Sequence, residues 1–187
     1  IAGLEVKNHL AILNFGSTTK LEAELANKGY KVTVLPYDTK AEDLLSLGAE
    51  AVILSEGAGN PEEMKEASAE IGKLMGKIPV FGIGLGHQLM AMAKGAEIIK
   101  LPYGHHGGNQ PSKVVGTART LITSQNHSYA VKEDSIKEGT VSHLNGNDKT
   151  VEGIEYKESF ALSVQFEVDA DYVEKKIEKL MEEFNNA

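Results

Sequence analysis

The sequence predicts an α/β protein with a mostly parallel central sheet flanked by helices, and a smaller antiparallel portion in its second half. Three observations carry this expectation. Four short apolar runs bounded by turn residues lie in the first half, helix-period segments separate them, and the second half breaks into shorter strands at glycine, proline and asparagine.

The apolar runs fall at residues 9–15, 30–35, 51–55 and 79–83. Between the first two, residues 19–28 carry Leu21 and Leu25 with flanking alanines and stop at Gly29, where a positive φ commonly closes a helix. After the third run, Asn60 suits an N-cap and Pro61 the first helical position, with Glu62 and Glu63 complementing the positive helix end. Met64, Ala67, Ile71, Leu74 and Met75 form the stripe expected to be buried. From 100 to 108 the pattern gives way to glycine, proline and histidine, and residues 118–165 read as short strands joined by turns such as Asn145-Gly146-Asn147-Asp148. Val173, Ile177, Leu180, Met181 and Phe184 then space out a closing amphipathic helix.

Length and composition are those of one globular domain over residues 1–187. No apolar run approaches the ~18 residues of a membrane span and no leader pattern is present, so the expectation is a soluble, cytoplasmic protein without a membrane partner. The opening Ile1-Ala-Gly-Leu-Glu-Val lacks Met and leads straight into a strand, as in a piece of a longer chain. A net charge of −8, from 27 acidic against 19 basic residues, disfavours nucleic acid as partner. Cysteine is absent, which removes disulfides, thiolate metal sites and every cysteine-nucleophile mechanism.

The most informative stretch is Pro79-Val-Phe-Gly-Ile-Gly-Leu-Gly-His-Gln-Leu-Met90, an apolar strand passing through a small-residue turn into a helix. This is the pattern of a nucleophile elbow, in which flanking glycines, here Gly82 and Gly86, let strand and helix backbones approach while the central residue, Gly84, points into a cleft. A dinucleotide fingerprint would need glycine at position 87, which is His87.

Four motifs in order carry a family resemblance: Phe81-Gly-Ile-Gly84-Leu-Gly-His87-Gln88-Leu, Gly104-His-His-Gly-Gly-Asn-Gln-Pro111, Thr123-Ser-Gln-Asn126-His127 and Ser163-Val-Gln-Phe166. The chain resembles the class I glutamine amidotransferases, and among them the C-terminal half of the carbamoyl-phosphate synthetase small subunit, the family's N-terminal domain being absent. The resemblance implies a flavodoxin-like fold and a partner, the large synthetase subunit, that receives ammonia released from glutamine.

It also implies roles for particular positions. The nucleophilic cysteine of the family falls on Gly84, and its His-Pro-Glu segment falls on Glu167-Val168-Asp169, so the base position holds Glu167 and the orienting carboxylate position Asp169. The oxyanion loop falls on Glu56-Gly57-Ala58-Gly59-Asn60-Pro61, with backbone N–H groups of Gly57, Gly59 and Leu85 as donors. The glutamine-binding side chain corresponds to Gln88, and the second binding loop to Asn126-His127-Ser128-Tyr129, where the family usually has glycine in place of Ser128.

Glycine offers no nucleophile, and a glutamate shuttles protons near neutral pH only if its pKa is strongly raised. Glu56 and Glu167 are expected to line one pocket, where mutual repulsion and burial would raise at least one of them and create a general base. Residues 104–111 read equally as a surface loop or as a segment near the partner-facing side. His87, His105, His106, His127 and His143 match no metal-ligand spacing, so no metal and no cofactor is expected.

Three readings of function follow. The first is an amidotransferase-like assembly, regulatory or ligand-binding module without glutaminase activity. The second is an altered form of a working glutamine-hydrolysing subunit, and the third a repurposed or designed scaffold that uses Glu56 and Glu167.

Overall fold

A computed structural model describes residues 6–187. Nine strands form one mixed sheet in the order β2-β1-β3-β4-β9-β8-β6-β5-β7. In chain order the strands are β1 (His9–Asn14), β2 (Lys31–Pro36), β3 (Ala51–Leu54), β4 (Val80–Ile83), β5 (Ile98–Val114), β6 (Thr120–Val131), β7 (Thr140–Asn145), β8 (Val151–Tyr156) and β9 (Ala161–Val164). The helices are α1 (Thr19–Asn27), α2 (Ala41–Ser46), α3 (Lys65–Leu74), α4 (Leu85–Ala93) and α5 (Ala170–Asn185).

Strands β2, β1, β3, β4 and β9 pair in parallel, and β8, β6, β5 and β7 continue the sheet antiparallel. The parallel strands alternate between two buried faces, as side chains on a pleated strand must. Ala11 and Leu13 of β1 join Val52 and Leu54 of β3 under α2, α3 and α4, while Leu10, Ile12, Ala51 and Ile53 pack with Leu25 of α1 and Val173 and Ile177 of α5.

Three sequence expectations are corrected here. The antiparallel portion is the smaller in strands, four against five, but not in residues, because the stretch from residue 98 onward, glycine-rich and carrying Pro111, is one long strand, β5, against β6. Register shifts between Lys100 and His105 and between Gly107 and Gln110 absorb the irregular residues, with Gly104 at φ +68° and Gly107 at φ +123°. Second, residues 104–111 are not a surface loop, since they belong to β5. Third, the helix expected to start at Asn60 is interrupted. Asn60 does cap, its Oδ1 accepting from Glu62 N at 3.0 Å, but only a 3₁₀ turn at Pro61–Glu63, and α3 begins after Met64.

Candidate functional site

The carboxyl ends of β1, β3, β4 and β9 open onto a cleft of about 670 Å³, the edge of a parallel sheet where ligands are commonly bound. Its floor is the elbow. Gly84 has φ +57° and ψ −113°, and its N–H donates to Val164 O at 2.9 Å, so the turn is pinned to β9. A Cβ at Gly86 would lie 2.6 Å from Leu54 Cβ and close against its carbonyl, so that flank must be glycine, while one at Gly82 would displace Met90 Sδ and crowd the backbone of Gly86. At Gly84 itself a Cβ would meet nothing nearer than Glu56 Cγ at 3.6 Å. The space for a side chain is there.

The loop after β3 forms the facing wall. Ser55 Oγ accepts from Phe15 N at 2.8 Å and donates to Glu56 O at 3.0 Å, which ties this loop to the end of β1. Gly57 lies so close to the Phe15 carbonyl that a Cβ would overlap it, whereas Gly59, at φ +131°, faces open space. Glu56 is half-buried, and desolvation, reinforced by the charge of Glu167, pushes its pKa up to about 7. Glu167 is exposed on the same cleft, its N–H donating to Ser124 O at 2.9 Å.

The remaining wall comes from α4 and β6. Gln88 is buried, and its amide Nε2 donates to Tyr129 O at 2.9 Å and to Gln165 Oε1 at 2.8 Å. Asn126 Oδ1 accepts from His106 Nδ1 at 2.7 Å across the β5–β6 pairing, which orients the amide at the cleft rim. Ser128 and Tyr129 follow, half-buried. The fold thus gathers Glu56, Gly57, Gly59, Gly84, Leu85, Gln88, Asn126, Ser128, Tyr129 and Glu167 around one cavity.

The model of the glutamine amidotransferase class-I family matches residues 11–181. The chain belongs to the class I glutamine amidotransferases. It is 45% identical over 163 residues to the carbamoyl phosphate synthase small chain of Staphylococcus epidermidis, covering 86% of this chain and 44% of that protein. It is 42% identical over 178 residues to the small chain of Listeria monocytogenes, covering 94% of this chain and 49% of that one. The chain spans about half the length of the curated relatives it matches. A solved glutamine amidotransferase from Thermotoga maritima superposes with a TM-score of 0.68 at 21% identity, over 98% of this chain and 86% of that one, which shows a shared fold.

In this class I amidotransferase domain one expected site residue lies elsewhere. Asp169 stands outside the cleft at the start of α5, where its Oδ1 accepts from Tyr172 N at 2.8 Å. It is an N-cap, and it borders an adjoining depression that shares Glu56 and Glu167 with the cleft. A carboxylate five residues past the end of β9 that also opens α5 serves the helix first.

Gln165 and His106 line the amidotransferase cleft, a place the sequence reading assigned to neither, although both sit in the quoted motifs. His87 lies fully buried beneath the elbow with Nδ1 2.7 Å from Ser163 Oγ, and burial drives its pKa down to about 3, so it is neutral. The spacing argument against a histidine cluster also needs correcting. The β5–β6 register sets His105 opposite His127, and β8 brings Glu152 to them, so that ligand atoms of all three lie within 4.8 Å of one another. Among the described residues no helix is long and apolar enough to cross a membrane.

Proposed function

We infer that the chain is the amidotransferase half of a carbamoyl phosphate synthase small-chain-type protein that holds glutamine or a related small molecule without hydrolysing it. Its role is assembly or regulation beside a large synthetase subunit. The observation that carries this reading is Gly84: an elbow with the backbone geometry to present a nucleophile into the cleft carries no side chain, in a chain that contains no cysteine. Glu167, at the position the resemblance assigns to the base, supplies a carboxylate where a histidine would be needed to accept a thiol proton near neutral pH. The acceptors and donors around Gln88, Asn126 and Tyr129 support binding of a small amide.

Titration calorimetry with glutamine, a glutaminase assay and a pull-down with a large synthetase subunit test the reading together. Binding without ammonia release is expected. Measurable glutamine turnover would overturn the loss of activity, and would return the chain to the hydrolysing subunits that deliver ammonia for carbamoyl phosphate synthesis.

A second reading draws on a different observation. The pKa of Glu56, raised to about 7 by burial and Glu167, suits a general base, which favours a cleft repurposed for proton abstraction. A pH–rate profile on activated substrates that rises through about 7 and disappears in Glu56→Gln supports it, and a flat background rate counts against it.

A further inference from the structure

Behind the β6 wall of the cleft, the antiparallel half encloses a polar cluster of which His127 alone reaches the cleft. Two histidines meet there, His105 from β5 and His127 from β6, with His105 Nδ1 3.2 Å from His127 Nε2. The outward nitrogen of each ring is already committed. His127 Nδ1 lies 2.7 Å from Tyr129 O, a carbonyl that only accepts, so the proton of that ring sits on Nδ1. His105 Nε2 lies 2.6 Å from Asp148 Oδ2, so its proton points to that carboxylate. The two inward nitrogens are then both bare lone pairs.

The next atom beside the pair is an acceptor again, while the donors nearby, Asn145 Nδ2 and the side chains of Gln125 and Ser112, address Glu152. Gln125 Oε1 lies 2.7 Å from the same His127 Nε2. Glu152 is wholly buried, its Oε2 3.9 Å from His105 Nδ1 and 3.5 Å from Asn145 Nδ2, while its Oε1 has no hydrogen-bond partner. A buried carboxylate with one orphaned oxygen, its other oxygen beside paired imidazole lone pairs, carries a cost that a proton or a bound cation relieves.

The geometry points to a divalent metal site, of the zinc type, formed by His105 Nδ1, His127 Nε2 and a Glu152 carboxylate oxygen. Zinc–nitrogen bonds of about 2.05 Å in tetrahedral arrangement set two ligand nitrogens about 3.3 Å apart, close to the separation of the two rings. The outer contacts follow the pattern that orients metal-bound histidines, one N–H to a carboxylate and one to a backbone carbonyl. Since Tyr129 O also accepts from Gln88, the ion would brace the wall that carries the cleft residues Asn126, Ser128 and Tyr129. It would stitch β5, β6 and β8 together, with its fourth position left to water.

The test uses the full chain, stripped with chelator and dialysed at pH 7.5, titrated with Zn²⁺ by calorimetry and with Co²⁺ by absorbance. One Zn²⁺ per chain, intense tetrahedral Co²⁺ bands and a higher melting temperature with Zn²⁺ are expected. Glu152→Gln and His105→Asn should abolish the Co²⁺ bands. Asp148→Asn, a change at a side chain 44% exposed and so tolerated by the fold, should weaken Zn²⁺ binding about 10- to 100-fold. Sub-stoichiometric Zn²⁺, weak six-coordinate Co²⁺ bands, or affinity unchanged in a folded Asp148→Asn would overturn the site. So would imidazole ¹⁵N shifts of His105 and His127 that do not move on adding Zn²⁺, the mark of two rings that merely share a proton.

Discussion

Glu56 and Gly84 face one another at van der Waals distance: a Cβ built on the glycine would stand 3.6 Å from Glu56 Cγ. Two loops that are remote in sequence, one after β3 and one after β4, therefore bring a carboxylate of raised pKa against the position where the fold would present a nucleophile.

Gly84→Cys tests that juxtaposition. The variant should fold, losing about 1–2 kcal/mol to the positive φ. Its thiol should titrate above the ordinary ~8.5, because the carboxylate beside it opposes the thiolate. The pH dependence of alkylation measures this, and a parallel glutaminase assay should stay at the parental level. A thiol that ionises below its ordinary value, or efficient glutamine hydrolysis, would contradict the account of the site.

The pH dependence of stability should carry the signature of Glu56. Its carboxyl is pushed from 4.5 in the unfolded chain to about 7 in the folded one, so the native state binds the proton more tightly. That contribution is fully present below about pH 4.5 and is lost as pH rises through about 7. Glu56→Gln should therefore match the parent at pH 4.5 and exceed it at pH 8 by about 1–2 kcal/mol once solvent screening is allowed for. Urea midpoints at the two pH values decide it, and an equal difference at both would refute the assignment.

The elbow's flanks should be far less tolerant than their chemistry suggests. Gly86→Ala drives a methyl into Leu54 and should destabilise by about 1–3 kcal/mol. Gly59→Ala meets nothing within 4 Å, so only its backbone strain at φ +131° should register. Thermal melts that rank a Gly86→Ala variant as neutral would show that α4 shifts to make room.

Asp169→Ala should behave as a lost helix cap, lowering stability by about 1 kcal/mol, with Asp169→Ser restoring most of it. Ligand binding measured by calorimetry should be unchanged in both. A large loss of binding with stability intact would return Asp169 to the cleft.

How much of this was legible in the sequence depended on whether a signal was local. The elbow was, because Gly82, Gly84 and Gly86 mark a strand-to-helix turn within a few residues, and the buried parallel strands announced themselves as apolar runs. β5 was not, since Gly104, Gly107 and Pro111 weigh against a strand until β6 supplies the partner and the register shifts accommodate them. The histidine cluster was invisible for a different reason: His105, His127 and Glu152 meet through strand register, and ligand spacing along the chain carries no trace of it. Asp169 misled because the residues after β9 both edge the site and begin α5, and local pattern does not say which duty a carboxylate there performs.

The amide of Gln88 has a bearing on which ligands the cleft prefers. Its NH₂ group is taken by Tyr129 O and Gln165 Oε1, so the polar atom left to address a visitor is the carbonyl oxygen, which only accepts. A guest carrying an amide NH₂ meets a complementary partner at this point, whereas the corresponding carboxylate brings a second acceptor against the first. Discrimination between an amide and its acid is thus held by a side chain whose donors never leave the protein, and it persists whether or not the elbow above it bears a reactive group.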